Sequence, residues 1–272
     1  MRILTDLHSH TAYSFDCQAD AEAMCLSAIE KGISYFAITD HCDVDCIAAG
    51  IYDEYDYRAA RETVLSLKEK YAKRIRILYG IEIGGANVCP KESEALVKEC
   101  GFDFVLGSVH NLYRVPDFYF MRYELMSRPV IDDLMRRMIE AQGELCELPF
   151  IHSLAHITYP LRYIARSGRK DIKSMDYAED YERLFKRLIA SGKSLEVNSS
   201  TLRNGGTFTL PDAPLLSLYR QCGGERITVG SDAHIPEDVG TKITDTYDML
   251  KSLGFSAIDV YVEGKRKALP LH

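Results

Sequence analysis

The stretch Ile3-Leu4-Thr5-Asp6-Leu7-His8-Ser9-His10 carries two histidines directly after a short apolar run. The run Ile3–Leu7 predicts a β-strand, and the His-x-His spacing puts both imidazoles on one side of an extended chain, because side chains alternate with a period of two. Strand-like runs that end in a histidine return further along the chain. Six of the eight histidines stand at such ends, namely His8, His10, His41, His110, His156 and His234.

Short strand-like runs alternate with longer helical patterns along the chain, which is typical of βα units and a parallel sheet. We therefore predict one α/β barrel domain over residues 1–272. Because all strand C-termini of such a barrel open onto one face, the strand-end histidines should converge there. The predicted strands are Ile3–Leu7, Tyr35–Thr39, Arg76–Ile81, Asp103–Val109, Ile151–Ala155, Ser194–Val197 and Ile227–Gly230, with a further strand-like run at Ala257–Val262.

Composition excludes several classes of protein. The net charge of −7 and the pI near 5.7 argue against a surface that coats nucleic acid. No stretch approaches the roughly 18 apolar residues of a membrane span, and the first residues lead into a strand rather than a signal peptide. The cysteines include no C-x-x-C pair and are typical of reduced thiols, although Cys42 and Cys46 lie close enough to His41 for a thiolate ligand. We expect a cytoplasmic protein.

Carboxylates accompany the strand-end histidines, and together they predict a divalent-metal site. Asp16 follows the first histidine pair, Asp232 stands two residues before His234, and Glu82 ends an apolar strand in Gly80-Ile81-Glu82-Ile83-Gly84. A buried acid there needs a partner, and the two oxygens of Glu82 could bridge two ions. One strand-end histidine alone is more often a hydrogen-bonded structural residue, but six beside these acids are hard to explain by packing. Zn²⁺, Mn²⁺ and Fe²⁺ all suit such ligands.

These motifs resemble the PHP family, which is named for polymerase and histidinol phosphatase. The resemblance runs in order over nearly the whole chain, from His8-x-His10 through Thr39-Asp40-His41 and Ser108-Val109-His110 to Ser231-Asp232-Ala233-His234. It implies a distorted (β/α)₇ barrel with three divalent metal ions at the strand C-termini. Carried over residue by residue, it implies one ion held by His8, His10, Glu82 and Asp232, a second by Glu82, His110 and His156, and a third by Asp16, His41 and His234.

One ligand position has a rival. His152 lies four residues before His156, on the same face of a regular strand. We prefer His156 because the segment His156-Ile157-Thr158-Tyr159-Pro160-Leu161-Arg162-Tyr163 is similar to the corresponding segment of histidinol phosphatases.

Arg162 and Arg203 are the candidate phosphate-binding cations. Arg162 follows His156 by six residues and Arg203 lies just past the strand Ser194–Val197, so both flank the predicted mouth. The planar fork of an arginine matches two phosphate oxygens at once. A loop arginine is usually an ordinary surface residue, but both resemble arginines that contact the phosphoryl group in the family. The acidic, tyrosine-rich stretch 43–57 could recognise a cationic substrate, although a solvated helix start is the simpler interpretation.

Clustered divalent ions can activate a bridging water, orient a phosphate and neutralise developing charge, so the site favours phosphate ester hydrolysis. The resemblance implies hydrolysis of L-histidinol phosphate to L-histidinol and phosphate in histidine biosynthesis, with Glu82, Arg162 and Arg203 as catalytic residues. The rivals are a PHP phosphoesterase that acts on nucleotides or oligonucleotide ends, and a metal-binding module without turnover. The acidic balance disfavours nucleic acid as a partner, and the oligomeric state is left open.

Overall fold

Eight parallel strands form the wall of a barrel in the computed structural model, which describes residues 2–51 and 56–271. In chain order they are β1 (Leu4–Asp6), β2 (Ile33–Ile38), β3 (His41–Asp43), β4 (Arg76–Gly84), β5 (Phe104–Ser108), β6 (Ser153–Leu154), β7 (Ser194–Asn198) and β8 (Ile227–Gly230). The order around the sheet is β1-β2-β4-β5-β6-β7-β8, and β3 pairs with the end of β4. The sequence predicted every strand of this path and missed only β3, whose three residues show no apolar pattern.

Backbone hydrogen bonds beyond the ends of β1 and β8 close the barrel. The amide of Leu7 donates to the carbonyl of Val229 at 2.9 Å, and the amide of Asp232 donates to the carbonyl of His8 at 2.8 Å. The first and the last strand of the path therefore lie side by side. The predicted distorted (β/α)₇ barrel is confirmed.

Nine helices within the described residues connect the strands. They are α1 (Ala21–Glu30), α2 (Val44–Ala48), α3 (Tyr57–Lys70), α4 (Pro90–Cys100), α5 (Arg128–Leu145), α6 (Tyr159–Arg166), α7 (Ala178–Ser191), α8 (Ala213–Gln221) and α9 (Ile243–Ser252). Asp20 caps the start of α1, because its side chain accepts a hydrogen bond from the amide of Ala23 at 2.9 Å. One face of α5 is buried against the barrel at Ile131, Met135, Met138 and Ile139.

A β-hairpin fills the N-terminal mouth of the barrel. Its strands are β9 (Ala257–Val262) and β10 (Lys265–Pro270), which pair antiparallel. Glu263 and Gly264 both have positive φ angles, 53° and 70°, as a two-residue hairpin turn requires. The amide of Gly264 donates to the carbonyl of Asp103 at 3.0 Å, which fixes the hairpin tip at the entrance to β5. The apolar residues that it adds to the inside of the barrel are Val260, Tyr261 and Leu269.

Two further expectations concern membranes and disulfides. Within residues 2–51 and 56–271, no helix is both long and apolar enough to cross a membrane. All eight cysteines lie in the same part of the chain, and none is joined to another by a disulfide.

Candidate metal centre

All nine predicted metal ligands lie at the C-terminal mouth of the barrel. Each follows a barrel strand or stands near its end, and the β1–β8 closure brings the first and the last of them together. Donor atoms within 4.8 Å of one another occur in five groups: His8, His10 and Glu82; His10, Asp16 and His41; His10, Asp232 and His234; His41, Asp43 and His110; and Glu82, His110 and His156.

The backbone is strained at two of these positions. His156 has a φ angle of 23° and Asp232 has a φ angle of 55°. Residues other than glycine rarely adopt this left-handed region, and such strain concentrates at functional sites. β6 spans only Ser153–Leu154, shorter at both ends than the predicted strand Ile151–Ala155.

The Glu82 carboxylate stands at the centre of the cluster. Its Oε1 atom lies 2.7 Å from Nε2 of His156 and 3.2 Å from Nε2 of His110. Its Oε2 atom lies 2.8 Å from Nε2 of His41 and 3.1 Å from Nε2 of His8. Burial alone would raise the pKa of Glu82, but the surrounding imidazoles hold this pKa well below its usual value. Nε2 of His10 lies 3.5 Å from the same Oε2 atom, so imidazoles face both oxygens, as a bridging carboxylate requires.

The distances between donor atoms fit the spacing of ligands around a metal ion. Metal–nitrogen bonds of about 2.0–2.1 Å put neighbouring atoms of a tetrahedral shell about 3.3 Å apart. The Nε2 atoms of His8 and His10 are 3.1 Å apart, and those of His110 and His156 are 3.5 Å apart. Two imidazole nitrogens that face each other can share only one proton, so these converging lone pairs suit cations.

His41 adds a second sign of a metal site. Both of its ring nitrogens are buried, and neither makes a hydrogen bond of acceptable geometry within the described part of the chain. Its Nδ1 atom lies 3.4 Å from Oδ2 of Asp16, and the same oxygen lies 3.1 Å from Nε2 of His234. Asp16 therefore lies between His41 and His234. The groups whose donor atoms all lie within 4.8 Å join Asp16 and His41 to His10, and join His234 to His10 and Asp232, so the third set stays a prediction.

Asp232 lies between two sets of predicted ligands. Its Oδ1 atom is 3.5 Å from Nε2 of His10, 3.8 Å from Nε2 of His8 and 3.7 Å from Nδ1 of His234. The distances put Asp232 as close to the third set as to the first, in which the resemblance counts it.

Glu196 supports the cluster from behind, and the sequence analysis missed it. One of its oxygens lies 2.6 Å from Nδ1 of His8, and the other accepts a hydrogen bond from the amide of His156 at 2.8 Å. Burial would lower the pKa of His8, but Glu196 and Glu82 raise it well above its usual value. A carboxylate behind a ligand histidine fixes its tautomer and orientation. Glu196 carries the same sequence signal as Glu82, an acid inside an apolar strand.

Asp43 supports His110 in the same way. Its Oδ1 atom lies 3.2 Å from Nδ1 of His110, and its side chain is 3% exposed. Burial would lower the pKa of His110, but Glu82 and Asp43 raise it to about 10. The interpretation of the stretch 43–57 as a solvated helix start therefore does not hold for Asp43, which is buried. Residues 52–55 of the same stretch lie outside the described residues.

His152 lies at the opposite end of the barrel from His156. Its Nδ1 atom accepts a hydrogen bond from the amide of Val105 at 3.0 Å, and its ring stacks on Tyr261 of the hairpin at 4.8 Å between centroids. The structure therefore brings His156, and not His152, to Glu82.

Arg162 reaches the metal cluster from α6. One of its Nη atoms lies 3.2 Å from Oδ2 of Asp232 and donates to Oγ of Ser200 at 3.0 Å. The guanidinium lies over the ring of Tyr159 at 5.1 Å. Burial would lower the pKa of Arg162, but Asp232 raises it, so the side chain carries a fixed positive charge beside the cluster.

Arg203 is directed at the backbone of the β8 loop. It donates to the carbonyls of Ser231 and Asp232, and it pairs with Asp238 at 3.0 Å. Its role at the phosphate stays a prediction, since these contacts tie it to the loop that carries Asp232.

Two adjoining cavities open at this mouth. The first has a volume of about 380 Å³ and holds Glu82, Arg162 and most of the predicted ligands at its base, with Phe15, Tyr119 and Phe120 at its rim. The second has a volume of about 750 Å³ and shares Asp117 and Phe120 with the first. The acidic residues that line this second cavity are Asp43, Asp45 and Asp117.

A parallel barrel with histidines and carboxylates at its strand C-termini is the architecture of a metal-site barrel protein. Residues 6–200 match the model of the PHP domain family, so the chain belongs to this family. The match ends before β8, so Asp232 and His234 rest on the structure and the sequence motif alone.

Curated relatives match over nearly their whole length. A probable histidinol-phosphatase from Thermotoga maritima is 28% identical and covers 97% of each chain. The histidinol-phosphatase of Lactococcus lactis subsp. lactis is 24% identical, over 94% of this chain and 93% of the relative. A crystal structure of histidinol phosphate phosphatase from that bacterium, complexed with zinc, L-histidinol and phosphate, superposes with a TM-score of 0.84 at 22% identity, over 97% and 98% of the two chains. At this identity, the superposition establishes the fold.

Proposed function

We propose that the protein is a metal-dependent phosphatase that hydrolyses L-histidinol phosphate to L-histidinol and phosphate, as a cytoplasmic enzyme of histidine biosynthesis. The observation that carries the proposal is the Glu82 carboxylate, which lies within 3.5 Å of five imidazoles and lines the same cavity as the buried charge of Arg162. A purely structural barrel has no use for such a cluster at its open mouth. The names of the curated relatives support the same activity.

The residues of the mouth would hold three divalent ions. We assign His8, His10, Glu82 and Asp232 to the first, Glu82, His110 and His156 to the second, and Asp16, His41 and His234 to the third. Zinc is the first candidate because the Lactococcus lactis structure contains it, and Mn²⁺ or Fe²⁺ would suit the same ligands. When bound, the ions would lower the pKa of water in the site and neutralise charge on the phosphate.

Arg162 is suited to bind the phosphoryl group. Its guanidinium lines the 380 Å³ cavity, and its stacking on Tyr159 and its contact with Asp232 fix its direction. Its Nε atom is buried without a hydrogen-bond partner among the described residues. A fixed guanidinium favours the charge that grows on the phosphoryl oxygens in the transition state without reorganising. We assign Arg203 to the same reaction as a residue that also positions Asp232.

The acidic cavity is suited to the alcohol part of the substrate. L-Histidinol carries an ammonium and an imidazole, and the cavity offers the carboxylates of Asp45 and Asp117 next to the phosphate site. Burial raises the pKa of Asp117, so a cation beside it would reduce the cost of keeping it ionised. A nucleotide, whose leaving group carries no positive charge at neutral pH, lacks this complementarity.

A substrate comparison tests the proposal. The zinc-, manganese- and iron-loaded protein is assayed with L-histidinol phosphate, nucleoside monophosphates, p-nitrophenyl phosphate and a phosphodiester. We expect L-histidinol phosphate to have the highest kcat/KM and the diester to be hydrolysed least, because its second ester group occupies an oxygen that Arg162 needs. Efficient cleavage of nucleotides or oligonucleotides with negligible turnover of L-histidinol phosphate would refute the proposed substrate. If no substrate is turned over with any of the metals, the proposal that the protein is a phosphatase is refuted.

Asp117→Asn tests the acidic cavity separately. We expect kcat/KM for L-histidinol phosphate to fall by about 10-fold or more, the scale of one charge-assisted hydrogen bond, while p-nitrophenyl phosphate is little affected. Glu62→Gln, which removes an exposed carboxylate of α3, is the matched control. An equal loss with both substrates would mean that Asp117 does not recognise the cation.

A further inference from the structure

A third cavity, with unpaired positive charge, lies away from the metal centre, on the side of the barrel where the strands begin. It has a volume of about 430 Å³, within the range of small-molecule sites. Lys193, which directly precedes β7, lines it together with Arg226, directly before β8, and Arg266 of the hairpin. The rest of its wall includes the ring of Tyr219 and the apolar side chains of Ile189, Ala257 and Ala268.

Lys193 is the anomaly in this cavity. The residue is only 8% exposed, yet its ammonium makes no hydrogen bond and no ion pair with any residue of 2–51 or 56–271. The ammonium is not among the fully buried polar atoms of the described residues, so it opens onto the cavity, while burial of the residue lowers the pKa of Lys193. The groups that interact electrostatically with Lys193 include Cys146 and His152, and neither is a carboxylate.

The other charges of the cavity do not neutralise Lys193. The buried carboxylate of Asp259 is taken up by Arg266 at 2.7 Å and by the hydroxyl of Ser194 at 2.8 Å. Glu225 is 78% exposed and faces Arg220 at 3.5 Å. Arg226 donates to the carbonyl of Gly192 and has no ion-pair partner within the described residues. Two positive charges therefore stay unbalanced in one cavity of a protein with a net charge of −7.

We propose that this cavity is a binding site for a small organic anion, whose carboxylate or phosphoryl oxygens are held between the Lys193 ammonium and the Arg226 guanidinium. An arginine and a lysine together offer the donors that these groups prefer. The ring of Tyr219 and the apolar wall give room for the carbon skeleton of the ligand. The site is separate from the metal centre, which stands at the opposite ends of the strands.

Thermal unfolding of the metal-loaded protein tests the site. Wild type and Lys193→Met are titrated with sodium phosphate, with sodium succinate and, as a salt control, with sodium chloride at matched ionic strength. Phosphate also binds at the metal centre, but that contribution is the same in both proteins. The difference between their titration curves therefore reports the cavity alone.

We expect the anion to raise the melting temperature of wild type more than that of Lys193→Met. Without anion, Lys193→Met should melt at the wild-type temperature or above it, because it removes a partly desolvated charge that has no partner. With anion at about a hundred times its dissociation constant, wild type should gain about 5 °C more than the variant. Lys193→Arg, which keeps the charge, should keep the response, and Lys251→Met, which changes an exposed lysine of α9, should behave as wild type. A response to succinate alone identifies a carboxylate ligand, and a response to phosphate alone identifies a phosphoryl ligand.

Parallel titration curves for wild type and Lys193→Met would overturn the proposal, as would an equal gain with chloride. Lys193→Gln replaces the methionine variant if that variant loses its secondary structure or its metal. None of these measurements uses turnover, so they stand whether or not the protein hydrolyses L-histidinol phosphate.

Discussion

The two mouths of the barrel are built from the same strands, yet they differ in chemistry. The C-terminal mouth gathers imidazoles around Glu82, whereas the N-terminal mouth is filled by the β9–β10 hairpin with Val260, Tyr261 and Leu269. His152 and His156 show the difference within one short segment. His156 lies 2.7 Å from Glu82, while His152 accepts a hydrogen bond from Val105 and stacks on Tyr261. The direction of the strand, more than the residue type, decides whether a histidine enters the site.

The change with the largest expected effect is Glu82→Gln, which removes the negative charge at the centre of the C-terminal mouth. An amide cannot supply the anionic bridge, so we expect the metal content to fall from about three ions per chain and kcat/KM to fall by about 1000-fold or more. Elemental analysis and initial rates with L-histidinol phosphate measure both. A wild type that saturates at one ion, or a variant that keeps full metal and activity, would contradict the bridging role.

The next effect concerns the charge beside the cluster. Arg162→Ala should lower kcat/KM by about 10- to 150-fold, which corresponds to about 1.5–3 kcal/mol for a charge-assisted contact with phosphate. The metal content should stay at the wild-type level, and Arg162→Lys should restore activity only in part, because a point charge cannot make the two-pronged contact. Loss of metal in Arg162→Ala would instead assign Arg162 to the support of Asp232.

Arg203→Ala separates positioning from direct binding. Because Arg203 donates to the carbonyls of Ser231 and Asp232, we expect a loss of metal affinity together with activity. A loss of activity at full metal content would favour direct contact with the phosphate, as the sequence predicted.

A moderate effect is expected for the carboxylate behind the cluster. Glu196→Gln keeps an oxygen that can accept from the amide of His156 but removes the charge next to His8. Metal affinity should fall by about 10- to 100-fold, and excess metal should restore most of the activity. Glu179→Gln, on the exposed start of α7, is the control. Activity that excess metal does not restore would assign Glu196 a direct role in the reaction.

The smallest effect is expected at the N-terminal mouth. Burial lowers the pKa of His152 to about 4 from 6.5, so the unfolded chain binds more protons between these values and His152 reduces stability as the pH falls through this window. His152→Asn keeps an acceptor for Val105 but does not titrate. Because asparagine also loses the stacking on Tyr261, the expected result is a relative change: from pH 8 to pH 5 the variant should gain about 1–2 kcal/mol of stability over wild type. Loss of metal in His152→Asn would contradict the conclusion that His152 lies outside the metal site.

Residues with a local sequence signal were predictable, and residues defined by long-range packing were not. Glu82 and the strand-end histidines could be found because a polar residue that ends an apolar run stands out. The supporting role of Asp43 could not, since it depends on how β3 pairs with β4. Glu196 carried a signal that was overlooked. The hairpin was predicted only as a single strand, because β10 begins with three consecutive cations, Lys265-Arg266-Lys267, and has no apolar alternation.

The closure of β1 against β8 governs when the site can form. His8 and His10 leave the ribosome first, but the strand beside them is completed only after residue 230, followed by Asp232 and His234. Contacts this distant in sequence form slowly, so the growing chain holds histidines and acids without their enclosure for most of its synthesis. Loading of the proposed first and third sets, which include Asp232 and His234, would therefore follow synthesis of the last barrel strand, whereas Glu82, His110 and His156 are complete before it.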